Sequence, residues 1–154
     1  MTRRRLILLA AAGSAALLTG AFLFQAMGYL PCRICIWQRW PHAVAILAGV
    51  GAFVFAPRLF ALVGAGAALV TAGIGIFHTG VERGWWDGPQ SCTGEGLGGL
   101  SGADLLSFDA PAPPMCDEVA WALFGISMAS WNAILSLLLA GLWIAAVRRG
   151  RETV

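Results

Sequence analysis

Long runs of apolar residues, separated by short polar segments, organise this chain. Four runs stand out, at about 6–28, 36–56, 59–78 and 121–147. A helix needs roughly 20 residues to cross a bilayer, within a range of about 17–25. The second run reaches that length only if its helix begins near Ile36, which places Arg39 at the membrane boundary. The pattern therefore predicts an all-α integral membrane protein, a four-helix bundle forming a single domain over residues 1–154.

The first run follows a short basic segment, so it has two interpretations. Arg3, Arg4 and Arg5 precede it, as they would in a signal peptide. However, the apolar run at 6–28 is longer than the roughly 7–15 apolar residues of a cleaved signal. We therefore expect a retained membrane helix.

Composition agrees with a membrane protein and excludes nucleic-acid binding. Apolar residues make up 58% of the chain and charged residues only 12%, whereas soluble domains carry about 25% charged residues. The mean hydropathy is +0.76. All 10 basic residues are arginines, and they lie at the ends of the apolar runs. No basic face or stripe remains for a nucleic acid.

The arginines also predict which way the chain crosses the membrane. Basic residues concentrate in cytoplasmic loops, and four alternating spans place most of the arginines on the side of the two termini. We therefore expect cytoplasmic termini, with outer loops at about 29–35 and 79–120. Within the larger loop, the segment 97–108 favours either a short amphipathic helix on the membrane surface or an apolar patch on top of the bundle. The arginines on the cytoplasmic side are Arg3, Arg4, Arg5, Arg58, Arg148, Arg149 and Arg151.

All four cysteines fall on the outer side in this topology, and that distribution favours disulfides. Cys32 and Cys35 form a C-x-x-C at the start of a predicted helix. A helix N-terminus favours the reactive thiolate, and the small ring of a C-x-x-C disulfide suits a redox centre better than a structural staple. Cys92 and Cys116 lie far apart in the Gly- and Pro-rich loop. A disulfide between them would close a long loop that could swing towards another thiol.

Arg39 and His78 are the candidate cofactor-binding residues. Arg39 follows Cys35 by four residues, which places both on one helix face unless Pro41 breaks the helix. An unpaired cation at this depth is costly, so it favours a nearby anion, although an arginine can also snorkel to lipid head groups. At 1.5 Å per residue, Arg39 and His78 rise about 26 and 28 Å from the cytoplasmic ends of neighbouring helices. They should share one outer layer with the C-x-x-C, a plausible pocket for a lipid-soluble carrier of two electrons and two protons.

Two other classes of protein fit the same residues. Four thiolates could bind zinc, but zinc sites normally pair two C-x-x-C knuckles, and Cys92 and Cys116 do not form one. His42 and His78 could ligate a haem. The cysteines could also only brace the outer loop. A redox enzyme, a metal- or haem-binding membrane protein and a structural membrane protein therefore remain as hypotheses.

Three segments resemble the disulfide bond formation protein B (DsbB) family of bacterial inner-membrane thiol oxidases. They read "PCRICIWQRWPHAVAIL", "FHTGVERGWWDGPQSC" and "MCDEVAWALFGISMASWN". A C-x-x-C-x-x-x-R string is followed by a cysteine pair in the loop between the last two spans. In the related vitamin K epoxide reductase family the C-x-x-C comes after the loop cysteines, so the order here argues against that family.

The resemblance implies a reaction and a place for it. Such a protein lies in the bacterial inner membrane, reoxidises a soluble periplasmic dithiol oxidase similar to thioredoxin (DsbA), and passes the electrons to a quinone. Arg39 and His78 match residues of the family's quinone site. Gln38 stands where an acidic residue can occur in the family, and it is assigned no role.

The resemblance also implies a role for each cysteine. Cys92 would form the mixed disulfide with the partner, and Cys116 would be its loop mate. Cys116 would then exchange with Cys32, which leaves Cys35 as the thiolate that faces the quinone, stabilised by Arg39. The two sulfurs of the C-x-x-C are therefore not expected to be interchangeable.

Overall fold

A computed structural model describes residues 1–89 and 115–149 of this chain, and four helices and a short hairpin make up the regular structure of these residues. The prediction of a helical protein is confirmed. Cys92 and the segment 97–108, with the amphipathic helix predicted there, lie outside the described residues. The elements are α1 (Arg3–Ala26), α2 (Arg33–Val54), α3 (Pro57–Glu82), β1 (Ala122–Leu123), β2 (Ile126–Ser127) and α4 (Met128–Arg148).

Three of the four described helices, α1, α3 and α4, are long and apolar enough to cross a membrane. The first turns of α2 carry Arg33, Gln38, Arg39 and His42, which lower its hydropathy. All four helices nevertheless expose large apolar side chains, and a surface of this kind is stable against lipid rather than water. Examples are Leu8, Phe22, Leu47, Val50, Leu62, Leu69 and Leu138.

Close packing of small residues holds the helices together. Helix α3 packs against α2 and α4, and α1 packs against the same two helices. Alanines from all four helices surround Trp143, which is fully buried. Gly64 lies against the indole ring, because a Cβ added there would sit 2.5 Å from Trp143 Cε2. Small residues let helix backbones approach closely in a membrane, where burial of apolar surface offers little driving force.

The ends of α1 and α4 meet at the side of the molecule away from the C-x-x-C. The Arg3 side chain is buried, and its Nε donates a hydrogen bond to the carbonyl of Ala146 at 3.2 Å. A second nitrogen of the same guanidinium donates to the carbonyl of Arg149. These bonds satisfy carbonyls that the end of a helix leaves without partners.

The fourth helix begins later than its apolar run predicts, at Met128 rather than near 121. Residues 122–127 form the hairpin, in which β1 and β2 are antiparallel. Its turn residues Phe124 and Gly125 have φ angles of 54° and 74°, as a two-residue type I′ turn requires. The Ser127 hydroxyl then caps α4 by accepting from the Ser130 N–H. Apolar content alone does not separate such a hairpin from the first turns of a helix.

Helix α2 continues through Pro41 without a break. Proline removes one backbone hydrogen bond from a helix, and side chains of neighbouring helices can satisfy the groups that this frees. Pro41 frees the carbonyl of Trp37, and the Thr71 hydroxyl of α3 donates to the adjacent carbonyl of Gln38 at 3.2 Å. The cysteine pair and the polar residues that follow it therefore belong to one continuous helix.

Candidate redox site

The cysteine pair lies at the N-terminus of α2. Cys32 is the N-cap residue, and its sulfur accepts a hydrogen bond from the Cys35 N–H at 3.3 Å. The two sulfurs are 3.0 Å apart, and both residues are free thiols. Cys32 is buried, whereas Cys35 is half-buried. The pair is thus in its reduced state, and by exposed surface Cys32 is the more buried residue.

His78 of α3 reaches the Cys32 sulfur from the other side. Its Nε2 lies 3.6 Å from Cys32 Sγ and 4.0 Å from Glu82 Oε1. The hydrogen bond from the Cys35 thiol lowers the pKa of Cys32 below its ordinary value, burial opposes this, and His78 adds to the lowering. The stabilised thiolate of the reduced pair is therefore Cys32. The predicted Cys35 thiolate belongs to a different state, in which Cys32 is bonded to Cys116, and it stays a prediction.

Cys116 lies beside this pair. It is fully buried and disulfide-bonded. It packs in one apolar cluster with Cys32, Ile34 and Val81. The structure therefore brings three of the four predicted catalytic cysteines into one region, while Cys92 lies outside the described residues.

A cavity of about 420 Å³ opens beside the cysteines. Its walls are mostly apolar and come from all four helices and from residues 115–123. The size and the lining suit a small organic molecule, since such sites are mainly apolar with a few convergent polar groups. The polar and sulfur-containing side chains on its wall include Cys32, Cys35, Gln38, Arg39, His42, His78, Glu82, Glu118 and Asn132.

Arg39 lies on the cavity wall, but its hydrogen bonds go to α1 rather than to Cys35. One guanidinium nitrogen donates to Gln25 Oε1 at 2.7 Å and another to the carbonyl of Ala21 at 3.3 Å. The guanidinium also lies over the ring of Phe22, 4.8 Å from its centroid. Its Nε is buried without a partner among the described residues. The described hydrogen bonds of Arg39 thus anchor it on α1, and its predicted role beside the Cys35 sulfur stays a prediction.

A chain of buried polar side chains continues from His78 into the membrane region. Gln38 Nε2 lies 3.0 Å from His78 Nδ1, and Gln38 Oε1 accepts from Asn132 Nδ2 at 2.6 Å. Asn132 Oδ1 in turn lies 2.9 Å from His42 Nε2. Thr71 Oγ1 lies 3.3 Å from the same nitrogen. The chain joins α2, α3 and α4.

The sequence predicted no role for Gln38, and Asn132, Thr71 and Glu82 were not among the predicted site residues. One signal for Asn132 was available: it is an amide inside an otherwise apolar run. Polar groups are expensive within a membrane, so they usually face the interior and find partners. His42 Nε2 lies within hydrogen-bonding distance of Asn132 and Thr71.

The same geometry could bind a metal ion. The Sγ atoms of Cys32 and Cys35 and a ring nitrogen of His78 lie within 4.8 Å of one another. Thiolates and imidazole are ligands that Zn²⁺ prefers, but a structural zinc site needs a fourth ligand. The site therefore supports thiol chemistry directly and metal binding as a second possibility.

Comparison with known proteins gives one consistent family. The family model described as "Disulfide bond formation protein DsbB" matches residues 3–146. A protein of Verminephrobacter eiseniae named "Disulfide bond formation protein B" is 34% identical over 97% of this chain and 90% of its own length. One of the same name from Acidovorax sp. (strain JS42) is 32% identical, over 96% and 88%. No solved structure matches the chain significantly.

Proposed function

The chain belongs to the DsbB family of membrane proteins that form disulfide bonds, and on that premise we propose that it is a thiol:quinone oxidoreductase. It reoxidises a periplasmic DsbA-like dithiol oxidase and passes the electrons to a membrane quinone. One observation carries the proposal. The reduced Cys32–Cys35 pair lies on the wall of an apolar cavity and packs in one apolar cluster with the disulfide-bonded Cys116.

The proposed setting is the bacterial inner membrane. All four helices span it as a bundle, and both termini are cytoplasmic. The distribution of arginines supports this orientation, and three helices have the length and apolarity of spans. Helix α2 completes the bundle because its polar residues Gln38 and His42 are buried against α3 and α4 rather than exposed to lipid.

Oxidising equivalents move through two cysteine pairs. A thiolate of the partner attacks Cys92 in a Cys92–Cys116 disulfide, and the second partner thiolate displaces Cys92, so the partner gains a disulfide. The Cys116 thiolate then attacks Cys32 in the oxidised C-x-x-C, which releases Cys35 as a thiolate. Cys92 next attacks Cys116, restores the loop disulfide and releases Cys32. The reduced Cys32–Cys35 pair beside a disulfide-bonded Cys116 is the state that this last step leaves.

The cavity fits a quinone ring. Its volume of about 420 Å³ and apolar lining suit a planar ring with two polar oxygens. Arg39 lines this cavity, and its guanidinium would supply the hydrogen-bond donor for an oxygen of such a ring. A quinone would accept the two electrons and two protons that are released when Cys32 and Cys35 form a disulfide.

The side chains around the cysteine pair would hold the protons, bind the Cys32 sulfur and position the quinone ring. The Cys35 thiol carries one of the two protons, and the largely buried Glu82 carboxyl group is placed to hold the other. His78 holds the Cys32 sulfur, and Arg39 positions the ring. The apolar walls exclude water, which protects the thiolate from side reactions.

Purified full-length protein, a quinone and a reduced periplasmic dithiol oxidase provide the test. We expect loss of quinone absorbance in step with oxidation of the partner, and no turnover in Cys35→Ser. A Cys92→Ser/Cys116→Ser double variant should reduce the quinone with a small dithiol but not with the partner. Ser14→Ala, which alters a buried hydroxyl of α1 away from the site, should keep full activity. Turnover in Cys35→Ser, or full partner oxidation by the double variant, would reject the relay.

Metal binding is the second candidate, because three ligand atoms cluster at the reduced pair. Its test is the metal content of protein purified without chelator. Stoichiometric zinc that is lost in His78→Ala, together with absence of partner oxidation, would favour it over the redox function.

A further inference from the structure

In the polar chain from His42 to Cys32, the chemistry of the side chains determines which atom donates and which accepts in each hydrogen bond. Gln38 Oε1 accepts from Asn132 Nδ2, so the atom of Gln38 that faces His78 is the amide nitrogen. An amide nitrogen can only donate a hydrogen bond. His78 Nδ1, 3.0 Å away, must therefore be the unprotonated acceptor. In a neutral imidazole the proton then lies on Nε2, the atom nearest Cys32.

Obligate acceptors at both ends exclude the reversed arrangement. At one end, the Thr71 carbonyl lies 3.5 Å from Asn132 Nδ2, and the hydroxyl of Thr71, which donates to the Gln38 carbonyl, lies 3.2 Å from it. Rotating the Asn132 amide would place its oxygen against that carbonyl. At the other end, His78 Nε2 lies 3.6 Å from the Cys32 sulfur, which as a thiolate can only accept.

We propose that Gln38, itself held by Asn132, is a positioning residue that keeps the proton of His78 on Nε2, so that His78 donates to the Cys32 sulfur. Amide groups do not release protons at accessible pH, so the chain orients His78 and does not conduct protons. The role depends on the amide group of Gln38. A carboxylate at position 38 would instead accept a hydrogen bond from Nδ1 of His78 and so draw the proton to that nitrogen.

The consequence for the reaction rests on the proposed function. When Cys92 attacks Cys116, a Cys92–Cys116 bond forms and the Cys116–Cys32 bond breaks. The electron pair leaves on the Cys32 sulfur, where the Nε2 proton of His78 meets it. A better stabilised thiolate is a better leaving group in disulfide exchange. Gln38 therefore favours return of the disulfide to the loop.

Histidine ring ¹⁵N spectra of the reduced full-length protein in detergent test the arrangement directly. The His78 signals are those that vanish in His78→Gln. We expect one unprotonated nitrogen, Nδ1, and a protonated Nε2. In Gln38→Glu, which keeps the acceptor for Asn132, we expect Nδ1 to become protonated. An unprotonated Nδ1 in Gln38→Glu would overturn the proposal.

The second readout is alkylation of Cys32 in a Cys35→Ser background, followed by mass spectrometry across a pH range. The titratable groups that face this sulfur in the native protein are Cys35 of α2, which the Cys35→Ser change makes non-titrating, and His78 and Glu82 of α3, while the disulfide-bonded Cys116 does not titrate. Gln38→Leu should raise the midpoint by about one pH unit, which is a tenfold change in proton binding. Ser14→Ala should leave it unchanged.

An unchanged midpoint in a folded Gln38→Leu would also overturn the proposal. If Gln38→Leu does not fold, Gln38→Glu decides the question, because its side chain has nearly the same size. Neither measurement uses a quinone or a partner protein. Failure of the proposed function would therefore appear as absent turnover with the His78 arrangement intact, and failure of this inference would appear in the ring nitrogens alone.

Discussion

The guanidinium of Arg39 donates a hydrogen bond to Gln25 Oε1 at 2.7 Å, which anchors the cation of α2 on α1. The Ala21 carbonyl and the ring of Phe22 complete this anchor. Arg39 therefore lines the cavity with two of its nitrogens already hydrogen-bonded, and its buried Nε has no partner among the described residues. Helix α1, which contributes no cysteine, thereby takes part in building the site.

Quinone kinetics should depend on this anchor. Arg39→Met should raise the apparent quinone KM or lower turnover by about tenfold, because a charged hydrogen bond is worth roughly 1.5–3 kcal/mol. Gln25→Leu should produce a smaller rise in KM, since it frees the guanidinium without removing it. Rates are measured across a quinone titration at saturating partner. An unchanged rate of Arg39→Met at limiting quinone would mean that Arg39 only ties α2 to α1 and does not contact the quinone.

The donor at position 35 should control the ionisation of Cys32. A hydrogen bond from the Cys35 thiol is the main cause of the lowered Cys32 pKa. Cys35→Ser retains a donor, whereas Cys35→Ala removes it. We therefore expect the alkylation midpoint of Cys32 to be higher in Cys35→Ala than in Cys35→Ser. Equal midpoints in the two variants would show that the donor at position 35 does not set this pKa.

The lowered pKa of Cys32 also makes the stability of the reduced protein depend on pH. A depressed folded-state pKa means that the unfolded chain binds more protons, so the stabilisation is complete above the ordinary value of 9.0 and is lost as the pH falls through the folded-state value. The difference in melting temperature between the reduced protein and its Cys32→Ala variant should therefore increase from acidic pH towards pH 9. A melting-temperature difference that stays constant with pH would contradict a lowered pKa of Cys32.

Two glycines of α3 should respond in opposite ways to the same substitution. A methyl group at Gly64 would lie 2.5 Å from Trp143, whose ring is fully buried and cannot move away. Gly64→Ala should therefore cost about 1–3 kcal/mol of stability. At Gly66 a methyl group meets no described atom within 4 Å, so Gly66→Ala should be neutral or stabilising. Melting temperatures in one detergent compare the two variants, and equal values would contradict the packing around Trp143.

The sequence by itself determined the features that depend on hydrophobicity and spacing. Apolar runs long enough to span a bilayer predicted the helices, and the motif around Cys32 and Cys35, with the loop cysteines after it, indicated the family. These features are local, because transfer into lipid acts on each segment separately. Boundaries were less certain: the hairpin before Met128 depends on the φ angles of Phe124 and Gly125, which apolar content does not encode.

Only the tertiary structure decided which polar groups meet. Arg39 hydrogen-bonds to Gln25 on another helix. Gln38, for which the sequence predicted no role, connects Asn132 of α4 to His78 of α3. Buried polar groups must find partners in a membrane, but which partners they find depends on how the helices rotate and pack. The sequence therefore indicated thiol redox chemistry at Cys32 and Cys35, and helix packing decided that His78 faces Cys32 and that the charge of the reduced pair lies there.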